Sequence, residues 1–139
     1  MDASEPRRIL IVDDEPALRQ SMRQALQADG RRIDLAASGE EAVRLEAENA
    51  YEVIVADLMM PGLSGLDLLR TLKERGSRAR LILISGYPTI AAAEQAVKMG
   101  AFEFLAKPFM PAEIRVLVER GLNADPAAID PAGGCDLSG

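Results

Sequence analysis

The chain has 139 residues, 48% hydrophobic and 27% charged, with 22 acidic against 16 basic side chains and a formal net charge of −6; that length supports one domain with its own core, and the acidic balance argues against direct contact with nucleic acid, which needs basic patches. A single cysteine, Cys135, excludes an internal disulfide framework, and the absence of histidine excludes His-based triads, His metal sites and phosphohistidine formed on this chain. No apolar run approaches the roughly 20 residues of a membrane span, and "MDASEPRR" has no signal-peptide apolar region, so a cytoplasmic protein with no membrane partner is expected.

In chain order, residues 1–7 read as an N-terminal extension and "ILIV" at 9–12 as the first strand, which runs straight into Asp13 and Asp14. Asp14, just ahead of "EP", also suits a helix cap. Pro16 fits an early helical position, and Leu18, Met22 and Leu26 then recur every four residues until Gly30 stops the helix. "IDLAA" at 33–37 is the most polar strand and suits a sheet edge. "SGEE" reads as a capping box, with Ser38 as N-cap and Glu41 at the third helical position. "VIVA" at 53–56 is closed by Asp57, and "SGLD" at Ser64–Asp67 offers a similar helix start, although Asp is not the usual partner. Gly76 ends that helix. "LILI" at 81–84 is closed by Ser85; "TIAAAEQAVKMG" is helical, with Gly100 as its stop; "FEFLA" at 102–106 leads to Lys107. The Pro/Gly-rich residues 124–139 read as a flexible tail or linker stump. The pairs Arg7-Arg8 and Arg31-Arg32 read as solvated strand edges.

Five successive βα units with nearly continuous apolar strands imply a parallel sheet covered on both faces. Right-handed crossovers then favour a doubly wound (βα)5 three-layer sandwich in strand order 2-1-3-4-5, a flavodoxin-like arrangement spanning residues 8–123. In such a sheet, ligands bind beyond the carboxyl ends of the strands where the winding reverses, here between the first and third. Asp13, Asp14, Asp57, Ser85 and Lys107 all converge there. Neighbouring strands lie about 4.8 Å apart, so the short Ser85 arm can stand beside Asp57, whereas the fifth strand, about 9.6 Å away, needs a side chain as long as Lys107. Three carboxylates this close repel: two unit charges about 4 Å apart cost about 4 kcal/mol at an effective dielectric near 20. Lysine offsets part of this, and carboxylate oxygens without His or Cys select a hard cation, Mg²⁺ before Ca²⁺.

The ordered set "VDDEP", "VIVADLMMPGLSGLDLL", "LILISGYPT" and "GAFEFLAKPF" resembles the receiver (phosphoacceptor) domain of bacterial two-component response regulators over residues 8–122, with "MMPGLSG" most similar to receivers attached to transcriptional activators. The resemblance implies that Asp57 accepts a phosphoryl group from a histidine kinase or phosphotransfer protein. It implies Mg²⁺ held by Asp13, Asp14, Asp57 and the backbone carbonyl of Met59, with Ser85 and Lys107 contacting the phosphoryl oxygens and a cis bond between Lys107 and Pro108. Phe104 matches the family's switch position, acting with Ser85, and Met59 and Tyr87 flank the expected path of the hydrolytic water and so bear on signal lifetime. Tyr87, Phe102, Phe104 and Phe109 are expected to cluster around Ser85 and Lys107. The resemblance further implies an output face made by the fourth helix, fifth strand and fifth helix, meeting a second copy or an output protein. Such a protein catalyses its own Mg²⁺-dependent phosphorylation and dephosphorylation without turning over a separate substrate.

Three other readings use the same fold. A haloacid-dehalogenase-type phosphatase needs Asp-x-Asp after the first strand, where this chain has Asp13-Asp14. A flavodoxin-like cofactor binder needs a Gly/Ser/Thr phosphate loop, where this chain has "DDEPALR". A receiver-like protein-binding module not regulated by phosphorylation is the remaining alternative.

Overall fold

The computed structural model describes residues 6–86 and 90–124. Five strands alternate with five helices: β1 Arg7–Val12, α1 Pro16–Leu26, β2 Arg31–Ala36, α2 Gly39–Glu48, β3 Val53–Asp57, α3 Gly65–Glu74, β4 Arg80–Ser85, α4 Ile90–Lys98, β5 Glu103–Ala106 and α5 Pro111–Asn123. All neighbouring strands pair in parallel, in the order β2-β1-β3-β4-β5. The chain therefore winds outward to β2, crosses back over β1 to β3 and continues the other way, which puts the reversal between β1 and β3.

Ile9–Val12, Val53–Ala56 and Leu81–Ile84 are almost wholly buried because helices cover both faces. Side chains alternate along each strand, so Leu10, Val12, Ile54, Ala56 and Leu83 pack with α2, α3 and α4, while Ile9, Ile11, Val55, Ile82 and Ile84 pack with α1 and α5. Each such aliphatic side chain removed from water contributes about 1.5–3 kcal/mol. β2, the polar strand, is one edge, and the short β5 is the other. None of the described helices is long and apolar enough to cross a membrane.

Local signals shape the helix starts, with two departures from the sequence reading. Ser38 caps α2 by accepting the Glu41 N–H at 3.1 Å, but Glu41 Oε1 accepts from Ala37 N at 2.8 Å, one residue before the expected Ser38. The shorter Asp67 closes the complete box at α3, both bonds being 3.2 Å. The N-cap of α1 is Glu15 rather than Asp14, with no side-chain cap, and its N–H is taken by Asp13 Oδ1 at 2.8 Å. Gly76 and Gly100 adopt positive φ just past the ends of α3 and α4, as their placement predicts, whereas Gly30, also at positive φ, lies in the turn before β2 because α1 already ends at Leu26 with Gln27 as its cap.

Candidate functional site

Strand register carries the site residues to one place. Val12 of β1 is level with Ala56 of β3, so Asp13 and Asp57, one residue further, stand side by side across the reversal. Asp57 is level with Ile84, which puts Ser85 one step beyond it on β4, and Ser85 is level with Ala106, which puts Lys107 one step beyond on the far edge. The Lys107 N–H bonds Ser85 O at 2.8 Å, and its side chain reaches back across β4 to donate from Nζ to Asp57 Oδ2 at 2.7 Å. Nζ also lies 3.7 Å from Asp13 Oδ2. The Lys107–Pro108 peptide is cis.

Among the described residues, Asp13, Asp57 and Ser85 are the buried polar side chains, at 0%, 5% and 0% exposure, whereas Asp14 faces solvent. One carboxylate oxygen each from Asp13, Asp14 and Asp57 can be chosen so that all lie within 4.8 Å of one another. Asp57 Oδ1 accepts the Met59 N–H at 3.0 Å. Asp13 Oδ1 has Glu15 N as donor, but Asp13 Oδ2, fully buried, has no hydrogen-bond partner. Burial pushes the Asp13 pKa up to about 6; the Glu15 N–H and the Lys107 charge pull against this, and the negative Asp57 beside it adds to it. Burial works against the Lys107 ammonium, but the hydrogen bond and charge of Asp57, with Asp13 and Glu15, outweigh it and raise the lysine above its ordinary value.

This is a donor set of hard oxygens with one buried oxygen left over, in a pocket where negative charge is undercompensated. It fits a hard divalent cation of the Mg²⁺ kind: few protein carboxylates, one of them solvent-facing so that waters can complete the shell.

Of the aromatics expected around Ser85 and Lys107, the structure takes Phe102 away from the site and keeps Phe109 in a groove with Lys107. Phe102 donates its N–H to Leu81 O, at the end of β4 opposite Ser85. Phe104, level with Leu83, packs on the side of α2, α3 and α4, while Phe109 packs with α1 and α5 and lines a groove with Leu18, Met22 and Ile114. Phe102 precedes β5 and so does not follow its alternation, and the turn at Pro108 carries Phe109 to the side of α1 and α5. Tyr87 lies outside the described residues. Sequence reasoning missed Arg19, whose Nη1 donates to Asp13 O at 2.7 Å and holds the loop between β1 and α1; the signal was its place in the first turn of a helix begun at Pro16. It also missed that Arg7, Arg8, Arg31 and Arg32 are not bare solvated edges, since each finds a carboxylate, an amide or a helix-end carbonyl.

Comparison with known proteins agrees with this arrangement. Residues 9–119 match the family model described as response regulator receiver domain. The C4-dicarboxylate transport transcriptional regulatory protein DctD of Pseudomonas aeruginosa is 35% identical over 114 residues, which are 82% of this chain and 25% of DctD. Response regulator MprA of Mycobacterium sp. (strain KMS) is 35% identical over 119 residues, 83% of this chain and 52% of MprA. The chain thus spans about a quarter and about half of these relatives. Among solved structures, a response regulator receiver domain protein from Clostridium thermocellum superposes with a TM-score of 0.78 at 33% identity, covering 84% of this chain and 94% of that one.

Proposed function

The chain belongs to the response regulator receiver family, and on that premise we propose that Asp57 accepts a phosphoryl group from the histidine of a partner kinase or phosphotransfer protein. The observation that supports this most directly is the Lys107–Asp57 bond of 2.7 Å set beside the unpartnered Asp13 Oδ2: the nucleophile is held, and the charge balance around it is incomplete. An Asp57 carboxylate oxygen attacks phosphorus, the phosphorus–nitrogen bond of the donor breaks, and the imidazole leaves with its electron pair and takes a proton from solvent. The product is an aspartyl phosphate. Phosphoryl transfer needs positioning and charge neutralisation more than covalent assistance. Mg²⁺ bound by Asp13, Asp14, Asp57 and the Met59 carbonyl would supply neutralisation of the phosphoryl oxygens.

Lys107, already at Asp57, moves its ammonium to a phosphoryl oxygen, and the Ser85 hydroxyl donates to another. Buried Ser85 and half-buried Phe104 link that change to the face of α4, β5 and α5 through packing, since phenylalanine has no hydroxyl. Ile90, Val97 and Val116 on those helices are 80%, 65% and 51% exposed, which supports that face as the contact for a second copy or an output protein. The signal would operate in the cytoplasm, where such kinases deliver their phosphoryl groups. Met59, 60% exposed beside Asp57, has no group to orient an attacking water, so Met59→Asn is expected to shorten the lifetime of the phosphorylated form in a decay assay.

The test is intact-protein mass after incubation with acetyl phosphate, with and without Mg²⁺. A single Mg²⁺-dependent phosphoryl adduct, absent in Asp57→Ala, is the expected result. No adduct from acetyl phosphate or from a range of histidine kinases would sink the reading.

A further inference from the structure

The loop from Asp57 to Gly65 is held at its inner end by the site itself. Met59 donates to Asp57 Oδ1 at 3.0 Å, Leu58 donates to Ile84 O at 2.7 Å, and Gly65 donates to Leu58 O at 3.0 Å. Its outer end is held by α2, a helix that supplies no site residue. Glu40 Oε2 in the first turn of α2 accepts the Leu63 N–H at 3.2 Å. A Cβ on Gly62 would stand 2.8 Å from that same oxygen, and a Cβ on Gly39 would stand 2.6 Å from Leu63 O. Gly39 leaves no room for a Cβ against the Leu63 backbone, and Gly62 adopts a φ of +76°, which other residues resist. Two stiff links join this contact to Met59: Pro61, whose ring fixes φ, and Met60, 7% exposed in the core shared with α2 and α3.

A shift at Gly62 and Leu63 is therefore passed along to Met59 rather than absorbed on the way. We infer that Glu40 is a positioning residue: by holding Leu63 it sets the path of the β3–α3 loop, and with it the Met59 backbone beside Asp57 and the cation-binding carboxylates. The inference rests on the phosphoacceptor reading of that site. Glu40 acts here as an acceptor for a loop N–H, so an amide oxygen at the same place does the same work.

The test compares wild type, Glu40→Ala and Glu40→Gln in the whole 139-residue chain. Amide hydrogen exchange at Leu63 and Met59 is measured without Mg²⁺, and Mg²⁺ affinity by calorimetry. In Glu40→Ala, exchange is expected to rise about fivefold at both amides, and Mg²⁺ to bind about three- to tenfold more weakly, at or below the usual loss on removing an outer partner of a metal site. Glu40→Gln should stay within about twofold of wild type, and all three should share one melting temperature, because Glu40 is exposed. Gly62→Ala, which pushes a Cβ against the same oxygen, should give the same signature at Met59. Exchange rising at Leu63 alone, or a Gln variant as impaired as Ala, overturns the inference. Amide exchange needs neither cation nor phosphoryl group. A wild type that neither binds Mg²⁺ nor takes phosphate from acetyl phosphate would therefore defeat the phosphoacceptor reading, and the exchange pattern would still decide the role of Glu40.

Discussion

At the amino end of the sheet, Arg7 and Arg31 stand level on β1 and β2, as do Arg8 and Arg32; at the carboxyl end, Asp13 and Asp57 stand level on β1 and β3. Like charges side by side oppose strand pairing in both places, but the two ends treat them differently. Arg7 Nε bonds both oxygens of Glu52 at 2.8 and 2.9 Å, and its Nη2 reaches Leu122 O at the end of α5. Arg31 Nη1 takes Leu26 O at the end of α1, Arg80 Nη2 takes Ala124 O, and Arg8 Nη1 takes Asn49 Oδ1. Guanidinium groups set against helix carboxyl ends complement the helix dipole as well as the orphan carbonyls. At the other end, one lysine serves two buried aspartates, and Asp13 Oδ2 is left 3.7 Å from Nζ with no hydrogen bond. Arg80 Nε is also buried without a hydrogen bond, but its guanidinium is held through Nη2 by Ala124 O, whereas at the carboxyl end two buried carboxylates share a single lysine.

Three substitutions sharpen or break that contrast, from the largest effect to the smallest. Asp13→Asn should weaken Mg²⁺ binding by at least about tenfold while raising the melting temperature of the Mg²⁺-free protein, because it removes a buried charge that repels Asp57. A drop in both quantities would mean that Asp13 is structural, like the arginines. Arg7→Ala should cost about 1–2 kcal/mol in urea unfolding by stripping partners from Glu52 and Leu122 O, yet leave the rate of phosphorylation by acetyl phosphate unchanged. A large loss of rate would show that the two ends are coupled.

Tyr51→Phe gives the smallest effect, and it is confined to alkaline pH. Burial, then the 2.6 Å bond to Asp34 Oδ2, raise the Tyr51 phenol well above its ordinary pKa. Above about pH 10 the unfolded chain loses this proton first while the folded chain keeps it, so the folded state binds more protons and stability falls as pH rises. The Phe variant should lose less stability between about pH 9 and 11, as measured by denaturant melts at each pH.

Much of the site was legible one strand at a time. Asp13, Asp57 and Ser85 each end an apolar run, and Lys107 follows one, so a parallel sheet in the order 2-1-3-4-5 brings them together without any knowledge of distances. What sequence reasoning got wrong depends on direction rather than on position. Phe102 is near Lys107 in the chain but sits at the other end of the sheet, because it precedes β5, while Phe109 lines the same groove as Lys107 and packs with α1 and α5. Glu41 reaches Ala37 rather than Ser38, whereas Glu113 at the start of α5 does bond its own N-cap Met110 N–H at 2.7 Å, so the residue type alone does not decide which N–H is taken. Glu40 and Leu63 are 23 residues apart, and no local pattern joins them.

The sequence by itself determined which segments are strands, which are helices and which polar groups sit at the strand ends, because burial periodicity and glycine, proline and capping signals act within a few residues. Only the tertiary structure decided which charges meet. The reach of Lys107 to Asp57 depends on two successive strand registers and on a side chain crossing β4. The orphaning of Asp13 Oδ2 depends on what packs around it from the rest of the molecule. Those are sums over elements distant in the chain, and an ion pair or an unmet oxygen exists only once all of them are in place.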